Sequence, residues 1–131
     1  MTFVVDASVV IALLANRQAD EVLRKRLATA RSLHAPHLID VEVASGIRGL
    51  LLGGKLDSDR AVAMLSDFGS LRITRHPSLP YLARVLELRN NLTAYDATYV
   101  AMAEGLDLPL MTRDARMAGA VGHRAEIQVQ P

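Results

Sequence analysis

Apolar residues of this chain fall into two kinds of segment, which alternate along its length. Short continuous runs rich in Val, Ile and Leu are typical of strands that are buried on both faces of a parallel sheet. The first run contains Val4 and Val5 and ends at Asp6. The pattern predicts strands at residues 3–5, 33–35, 71–74, 108–111 and 127–129.

Segments with apolar residues at helical spacing separate these runs. Asp57 and Thr93 are residue types that begin helices, and the pair Gly53 and Gly54 is typical of a helix end. The pattern predicts helices at residues 7–14, 18–30, 37–52, 57–68, 79–89, 93–104 and 114–120. Strands that alternate with helices form right-handed βαβ units. We therefore expect an α/β fold, a single domain over residues 1–131 with a mostly parallel central sheet and helices on both faces.

The composition narrows the possible functions. The chain has no cysteine, which excludes disulfides, thiolate metal sites and cysteine nucleophiles. No apolar run approaches the roughly 20 residues that span a bilayer, so we expect a soluble, cytoplasmic protein with no membrane partner. The 15 basic and 14 acidic residues nearly balance, so the net charge alone does not indicate a polyanionic partner.

Two aspartates are expected just beyond strand ends. Asp6 follows the first strand, and Asp114 follows the fourth by way of Thr112 and Arg113. Each could cap the helix that comes next. Each could instead belong to a site, because open α/β sheets bind ligands at the carboxyl ends of their strands.

Helix 37–52 carries two acids that cannot face the same site. Asp40 and Glu42 lie about 200° apart around a helix. Glu42 shares its side with Ser45, Gly46 and Gly49, small residues that would leave room for a crevice. Asp40 lies in the first turn, where a carboxylate is favourable for stability alone. We therefore place Glu42 in the candidate site and Asp40 outside it.

Asp96 has both a structural and a functional interpretation. Its spacing from Thr93 matches a capping box, in which the acid reaches back to the helix start. Against this, small residues such as Ala97 and Ala101 would let the helix approach the sheet closely. Carboxylates that converge without a basic residue between them repel one another unless a cation is present. Ligation by oxygen alone is preferred by Mg²⁺ and Mn²⁺, which support phosphodiester hydrolysis.

Four stretches of the chain resemble, in order, the signatures of PIN-domain ribonucleases, and most closely those of the VapC toxins of prokaryotic toxin-antitoxin systems. They are VVDAS at 4–8, HAPHLIDVEV at 34–43, TAYDATYVA at 93–101 and LMTRD at 110–114. The resemblance runs nearly from end to end and implies a PIN-like domain. It also implies that the acids form a catalytic quartet that holds Mg²⁺, or Mn²⁺, namely Asp6, Glu42, Asp96 and Asp114.

The same resemblance implies a metal-dependent endoribonuclease that acts as a toxin. Its partners would be an RNA substrate, a cognate VapB-type antitoxin and a second copy of the chain in a homodimer. Ser8 and Thr112, hydroxyl residues beside two of the acids, would orient the metal-binding groups. We hypothesise that water attacks the RNA phosphodiester in line, without a covalent intermediate. The alternative is a PIN-like domain that binds RNA or a partner without cleavage.

Other enzyme and signalling classes fit the residues less well. A signalling receiver domain needs paired acids after the first strand and a later lysine, whereas Asp6 is followed by Ala7 and Ser8 and the only lysines are Lys25 and Lys55. A phosphatase with an Asp-x-Asp motif is excluded by Ser8. The four histidines lack metal-ligand spacing, and we interpret them as packing or surface residues.

Overall fold

A computed structural model gives the structure of the chain, and it describes residues 1–15 and 21–130. Five strands form one sheet: β1 (Thr2–Val5), β2 (Ser32–Pro36), β3 (Ile73–His76), β4 (Leu110–Thr112) and β5 (Ile127–Val129). Their order is β3-β2-β1-β4-β5, and every neighbouring pair is parallel. The chain winds outward in both directions from β1. The α/β fold with a parallel sheet is thereby confirmed.

Seven α-helices lie among the described residues. They are α1 (Ala7–Ala15), α2 (Glu21–Ala28), α3 (Leu38–Leu52), α4 (Ser58–Ser70), α5 (Leu82–Glu87), α6 (Ala94–Leu106) and α7 (Ala115–Gly119). A 3-10 turn, Leu79–Tyr81, precedes α5. The predicted start of the second helix, at residues 18–20, lies outside the described residues. None of the helices described is long and apolar enough to cross a lipid bilayer.

The sheet has a core on each face, because alternate residues of a strand point to opposite sides. Phe3 and Val5 of β1 pack with α1, α2, α3 and α4. Val4, between them, packs on the other side with α5, α6 and α7. All three of these strand residues are buried. The predicted burial of both faces of the first strand is therefore confirmed.

Two predicted strands begin later than expected, because the preceding helix takes up apolar residues. The Leu71 N–H donates to the Phe68 carbonyl at 3.1 Å, so Leu71 closes α4 and β3 starts at Ile73. Asp107 adopts a left-handed conformation with φ 53°, and the Leu108 N–H donates to the Ala103 carbonyl at 3.0 Å. Because α6 closes in this way, β4 begins only at Leu110. Helix-closing residues other than glycine are hard to recognise from the sequence.

Candidate active site

The candidate site lies at the carboxyl ends of β1, the central strand, and its neighbour β4. Asp6 directly follows β1, and Asp114 lies two residues beyond the end of β4. From β1 the chain continues to β2 on one side, and from β4 it continues to β5 on the other side, so the two connections run in opposite directions along the sheet. Such a point of reversal is where open α/β sheets form a crevice for ligands.

Asp6 is buried, with 7% of its surface exposed. One carboxylate oxygen, Oδ1, accepts the Ser8 hydroxyl at 2.6 Å and the Val9 N–H at 3.2 Å. The other, Oδ2, accepts the hydroxyl of Thr112. Asp6 therefore caps α1 and also faces the strand ends, so the two interpretations of this residue are compatible.

The hydroxyls of Ser8 and Thr112 join the end of β1 to the end of β4. The Ser8 hydroxyl accepts the Arg113 N–H at 3.0 Å, and the Thr112 hydroxyl accepts the Asp114 N–H at 3.0 Å. Each hydroxyl thus donates to Asp6 and accepts from the loop that carries Asp114. This arrangement sets the separation of the two aspartates.

Helix α3 directs its two acids to different partners, as the helical geometry predicts. Glu42 accepts a hydrogen bond from the Tyr99 hydroxyl, with 2.6 Å between Oε1 and the phenol oxygen. Asp40 pairs with Arg75 on β3, with 2.8 Å between Oδ1 and Nε. The structure therefore places Asp40 outside the candidate site.

The small residues beside Glu42 have a different role from the one expected. A Cβ on Gly46 would lie 2.2 Å from Cδ1 of Ile11, so this glycine lets α3 approach α1 closely. The expectation that Gly46 leaves room for a crevice is wrong, because α1 fills that space. A Cβ on Gly49 would meet no atom within 4 Å.

Asp96 lies in the first turn of α6, whose N-cap is Thr93. The Thr93 hydroxyl accepts the Asp96 N–H at 3.2 Å. Ala97 and Ala101 are buried, which agrees with the predicted close approach of this helix to the sheet. The helix N-terminus tolerates the Asp96 carboxylate because the helix dipole favours negative charge there.

Burial and mutual repulsion raise the pKa values of three of the acids. Burial is the largest cause in Asp6, Glu42 and Asp96. Hydrogen bonds from hydroxyl groups partly oppose the shift in each of them. Asp96 repels both Asp6 and Glu42, and Asp114 in turn repels Asp96. The four carboxylates are therefore close enough to influence one another's ionisation.

Asp114 differs from the other acids because it has a cationic partner. Its Oδ2 lies 3.1 Å from Nη2 of Arg116, and its Oδ1 accepts the Arg116 backbone N–H at 2.9 Å. Hydrogen bonding by Arg116 lowers the pKa of Asp114. Asp114 also caps α7.

The present side-chain conformations do not form a ready metal cage. Within residues 1–15 and 21–130, no three His, Cys, Asp or Glu side chains are placed to hold a metal ion as they stand. Both oxygens of Asp6 and of Asp114 are instead engaged by the protein donors described above, as is Oε1 of Glu42. The donor set itself suits a hard divalent cation, since it offers only oxygens on acids that repel one another. The predicted metal site stays a prediction.

Sequence reasoning did not identify the contact of Tyr99 with Glu42. Tyr99 lies three residues after Asp96, and residues at that spacing share one face of a helix. This spacing from Asp96 is the feature of the sequence that could have indicated a role for Tyr99 near the site. Sequence reasoning also treats the histidines as separate residues, whereas His34 and His76 contact each other across β2 and β3, with 2.8 Å between Nδ1 and Nε2.

The chain is similar to known proteins in both sequence and fold. The model of the PIN domain matches residues 3–121. The chain is 39% identical over 128 residues to "VapC ribonuclease Mb0985" of Mycobacterium bovis, and the match covers 98% of each chain. PAE2754 from Pyrobaculum aerophilum has a similar crystal structure, with a TM-score of 0.72 and 26% identity over 97% of this chain and 83% of that one.

The crystal structure of VapBC2 from Rickettsia felis bound to a DNA fragment from their promoter matches with a TM-score of 0.71. The identity is 11%, and the match covers 100% of both chains, so this likeness supports the fold alone. The family model and the mycobacterial relative both extend over nearly the whole chain. The chain therefore belongs to the PIN-domain family and, within it, to the VapC ribonucleases.

Proposed function

We propose that this protein is a metal-dependent endoribonuclease and the toxin of a VapBC-type pair. The observation that carries the proposal is the group of acids at the carboxyl end of the sheet, three of which have raised pKa values through burial and mutual repulsion. Such a group is costly to maintain unless a ligand compensates the charge. The relatedness to VapC ribonucleases along nearly the full chain supports the RNA-cleaving activity.

Asp6, Glu42, Asp96 and Asp114 are the residues that would hold Mg²⁺ or Mn²⁺. When bound, such an ion would neutralise charge on a phosphate and lower the pKa of a bound water. For Asp114 to join the site, its carboxylate must leave Arg116. The side chain of Arg116 is 91% exposed, so the pair can open into solvent at little cost.

The chain's own residues contribute orientation and charge. Ser8 and Thr112 hold both oxygens of Asp6 at the strand ends, so this carboxylate is preorganised. The ionised acids would attract a metal and, through it, the phosphodiester of RNA. Release of Arg116 from Asp114 would place a cationic group at the edge of the site, where a second phosphate could bind.

A cognate antitoxin is the second expected partner. The structurally similar VapBC2 of Rickettsia felis was crystallised as a complex with promoter DNA. By family relationship, we propose a VapB-type antitoxin for this chain, and RNA and antitoxin would both be met in the cytoplasm. A small neighbouring gene for a DNA-binding protein is the simplest observation that supports this.

A homodimer is also part of the proposal. Leu79, Leu82 and Leu86 are exposed large apolar residues, and their spacing places them on one side of the 3-10 turn and α5. A second copy could cover this face through a two-fold interface in which the same leucines meet. Light scattering after chromatography of the wild type and of Leu86→Glu tests it, with a monomeric variant expected.

The activity is tested by mapping the 5′ ends of RNA after incubation with Mg²⁺. We expect the wild type to cut internally and the chelated protein to be inactive. Asp6→Asn and Asp96→Asn should lose more than about 100-fold in rate, because even residues that only orient metal ligands contribute about 10- to 100-fold. Asp40→Asn is the matched control, since this acid of α3 lies outside the site.

The control variant should cleave RNA within about twofold of the wild type, since the Asp40–Arg75 pair is partly exposed to solvent and lies outside the candidate site. Cleavage that persists in Asp6→Asn or after chelation contradicts the proposal. Binding of RNA without any metal-dependent cut favours the non-catalytic alternative.

A further inference from the structure

Tyr99 is a fully buried tyrosine whose hydroxyl has a carboxylate as its partner. Its exposed fraction is 1%, and its phenol oxygen lies 2.6 Å from Oε1 of Glu42. A hydrogen bond from a neutral hydroxyl to a carboxylate is shorter and stronger than one between neutral groups. The contact joins α6 to α3 across 57 residues of sequence.

The surroundings of Tyr99 make it a rigid support. Its ring is part of the core between the sheet and α5, together with Val4, Val85 and Leu110. The phenol ring is therefore held in place by α6 and by the core around it, whereas Glu42 is only partly buried.

A buried hydroxyl on this helix does not by itself require a carboxylate partner. Thr98, the preceding residue, satisfies its hydroxyl on its own helix by donating to the Ala94 carbonyl at 2.7 Å. Tyr99 instead contacts one of the four acids of the site, and it lies on the same face of α6 as Asp96. Among the described residues, the second oxygen of Glu42, Oε2, has no hydrogen-bond partner. The tyrosine thus engages one oxygen and leaves the other available.

We propose that Tyr99 is a positioning residue, which holds Glu42 so that its second oxygen reaches the divalent cation shared with Asp6 and Asp96. This inference rests on the proposed metal site. Tyr99 does not contact the cation or the RNA. Its effect on metal binding passes through Glu42 alone.

The test measures Mn²⁺ binding directly, by calorimetry and by the loss of the free-ion electron paramagnetic resonance signal, without RNA. Tyr99→Phe removes one oxygen and keeps the ring. We expect it to weaken Mn²⁺ binding by roughly 10- to 100-fold, the usual effect of removing a residue that orients a metal ligand. Tyr81→Phe is the matched control, because Tyr81 packs on α6 at Gly105 and its hydroxyl makes no hydrogen bond within the described residues. It should bind as the wild type does.

A double-mutant cycle separates positioning from general loosening of the fold. If Tyr99 acts through Glu42, the variant Glu42→Gln/Tyr99→Phe should bind Mn²⁺ as weakly as Glu42→Gln alone. Additive losses, an unchanged affinity in Tyr99→Phe, or an equal loss in Tyr81→Phe would each overturn the inference. Absence of Mn²⁺ binding by the wild type would instead overturn the proposed metal site together with it.

A fluorescence measurement tests the inference in a protein that retains Tyr99. Its result therefore does not depend on whether Tyr99→Phe folds. The chain has three tyrosines and no tryptophan, so Tyr81→Phe/Tyr95→Phe leaves Tyr99 as the sole emitter. We expect Mg²⁺ to change its fluorescence, because the cation withdraws charge from the carboxylate to which the phenol donates. Glu42→Gln should abolish the change. A protein that binds Mg²⁺ with no change in Tyr99 emission would contradict the inference.

Discussion

Thr112→Val is the sharpest test of how the strand ends are held together. Thr112 is fully buried, donates its hydroxyl to Asp6 and accepts the Asp114 N–H at 3.0 Å. Valine has nearly the same shape, so the change removes the two hydrogen bonds without opening a cavity. The variant therefore isolates the contribution of one hydroxyl.

The expected loss of stability follows from these two bonds. A hydrogen bond to a charged group contributes about 1.5–3 kcal/mol, and a partly buried N–H left without a partner costs about 1 kcal/mol or more. Together they give a fall of roughly 3 kcal/mol in the free energy of unfolding at neutral pH. For a chain of 131 residues this corresponds to a decrease of about 10 °C in Tm. Thr112→Ser, which keeps the hydroxyl, should lose less than about 1.5 kcal/mol.

The pH dependence of this loss of stability shows whether Thr112 acts through its bond to Asp6. The Thr112 bond favours the ionised form of Asp6, whose pKa burial holds above its usual value of 3.8. The contribution of Thr112 is therefore largest well above that pKa and shrinks as the pH falls through it. Urea unfolding of both proteins, from pH 8 down to the most acidic pH at which they stay folded, measures the difference. An equal loss at every pH, or an undiminished loss in an Asp6→Asn background, would refute the reasoning.

Two further predictions concern groups outside the site. The side chain of Glu104 is 2% exposed and accepts two hydrogen bonds from Arg84. In urea titrations, Glu104→Gln should therefore lower the free energy of unfolding by about 3 kcal/mol. Glu87→Gln breaks an exposed pair with the same arginine and should lower it by less than about 1 kcal/mol. Equal costs would contradict this. Burial, with repulsion from His76, lowers the pKa of His34 below its usual 6.5. The free energy of unfolding should therefore decrease as the pH falls from about 6.5 through that lowered pKa. In His34→Gln, the free energy of unfolding should depend less on pH over this range.

The order and type of the elements could be predicted because burial leaves a periodic signal. Apolar runs indicated all five strands, and helical spacing indicated the helices between them. The predicted starts of strands are wrong where an apolar residue closes the preceding helix. The pattern predicts that Leu71 lies in a strand, whereas its N–H closes α4. Periodicity reports that a residue is buried, but it does not report which element it packs in.

The positions of the candidate acids beside strand ends and helix starts could be predicted from the sequence, as could the separation of Asp40 from Glu42. The role of these acids in a metal site stays a prediction. Positions after strands and around a helix follow from backbone geometry, which local sequence determines. Asp6 and Asp114 both cap helices, and both residues lie beside the ends of β1 and β4. Capping a helix and lying beside these strand ends are compatible, because helix starts lie at that edge of the sheet.

Only the tertiary structure decided the partners of these side chains. Tyr99 meets Glu42, Thr112 meets Asp6, and Gly46 meets Ile11 across long separations in sequence. Each contact depends on the angle and distance at which whole helices pack on the sheet, and the sum of many side-chain volumes sets these quantities. The sequence by itself therefore determined the fold class and the identity of the candidate acids. The packed structure determined which hydroxyls orient those acids and which cation, Arg116, now faces Asp114.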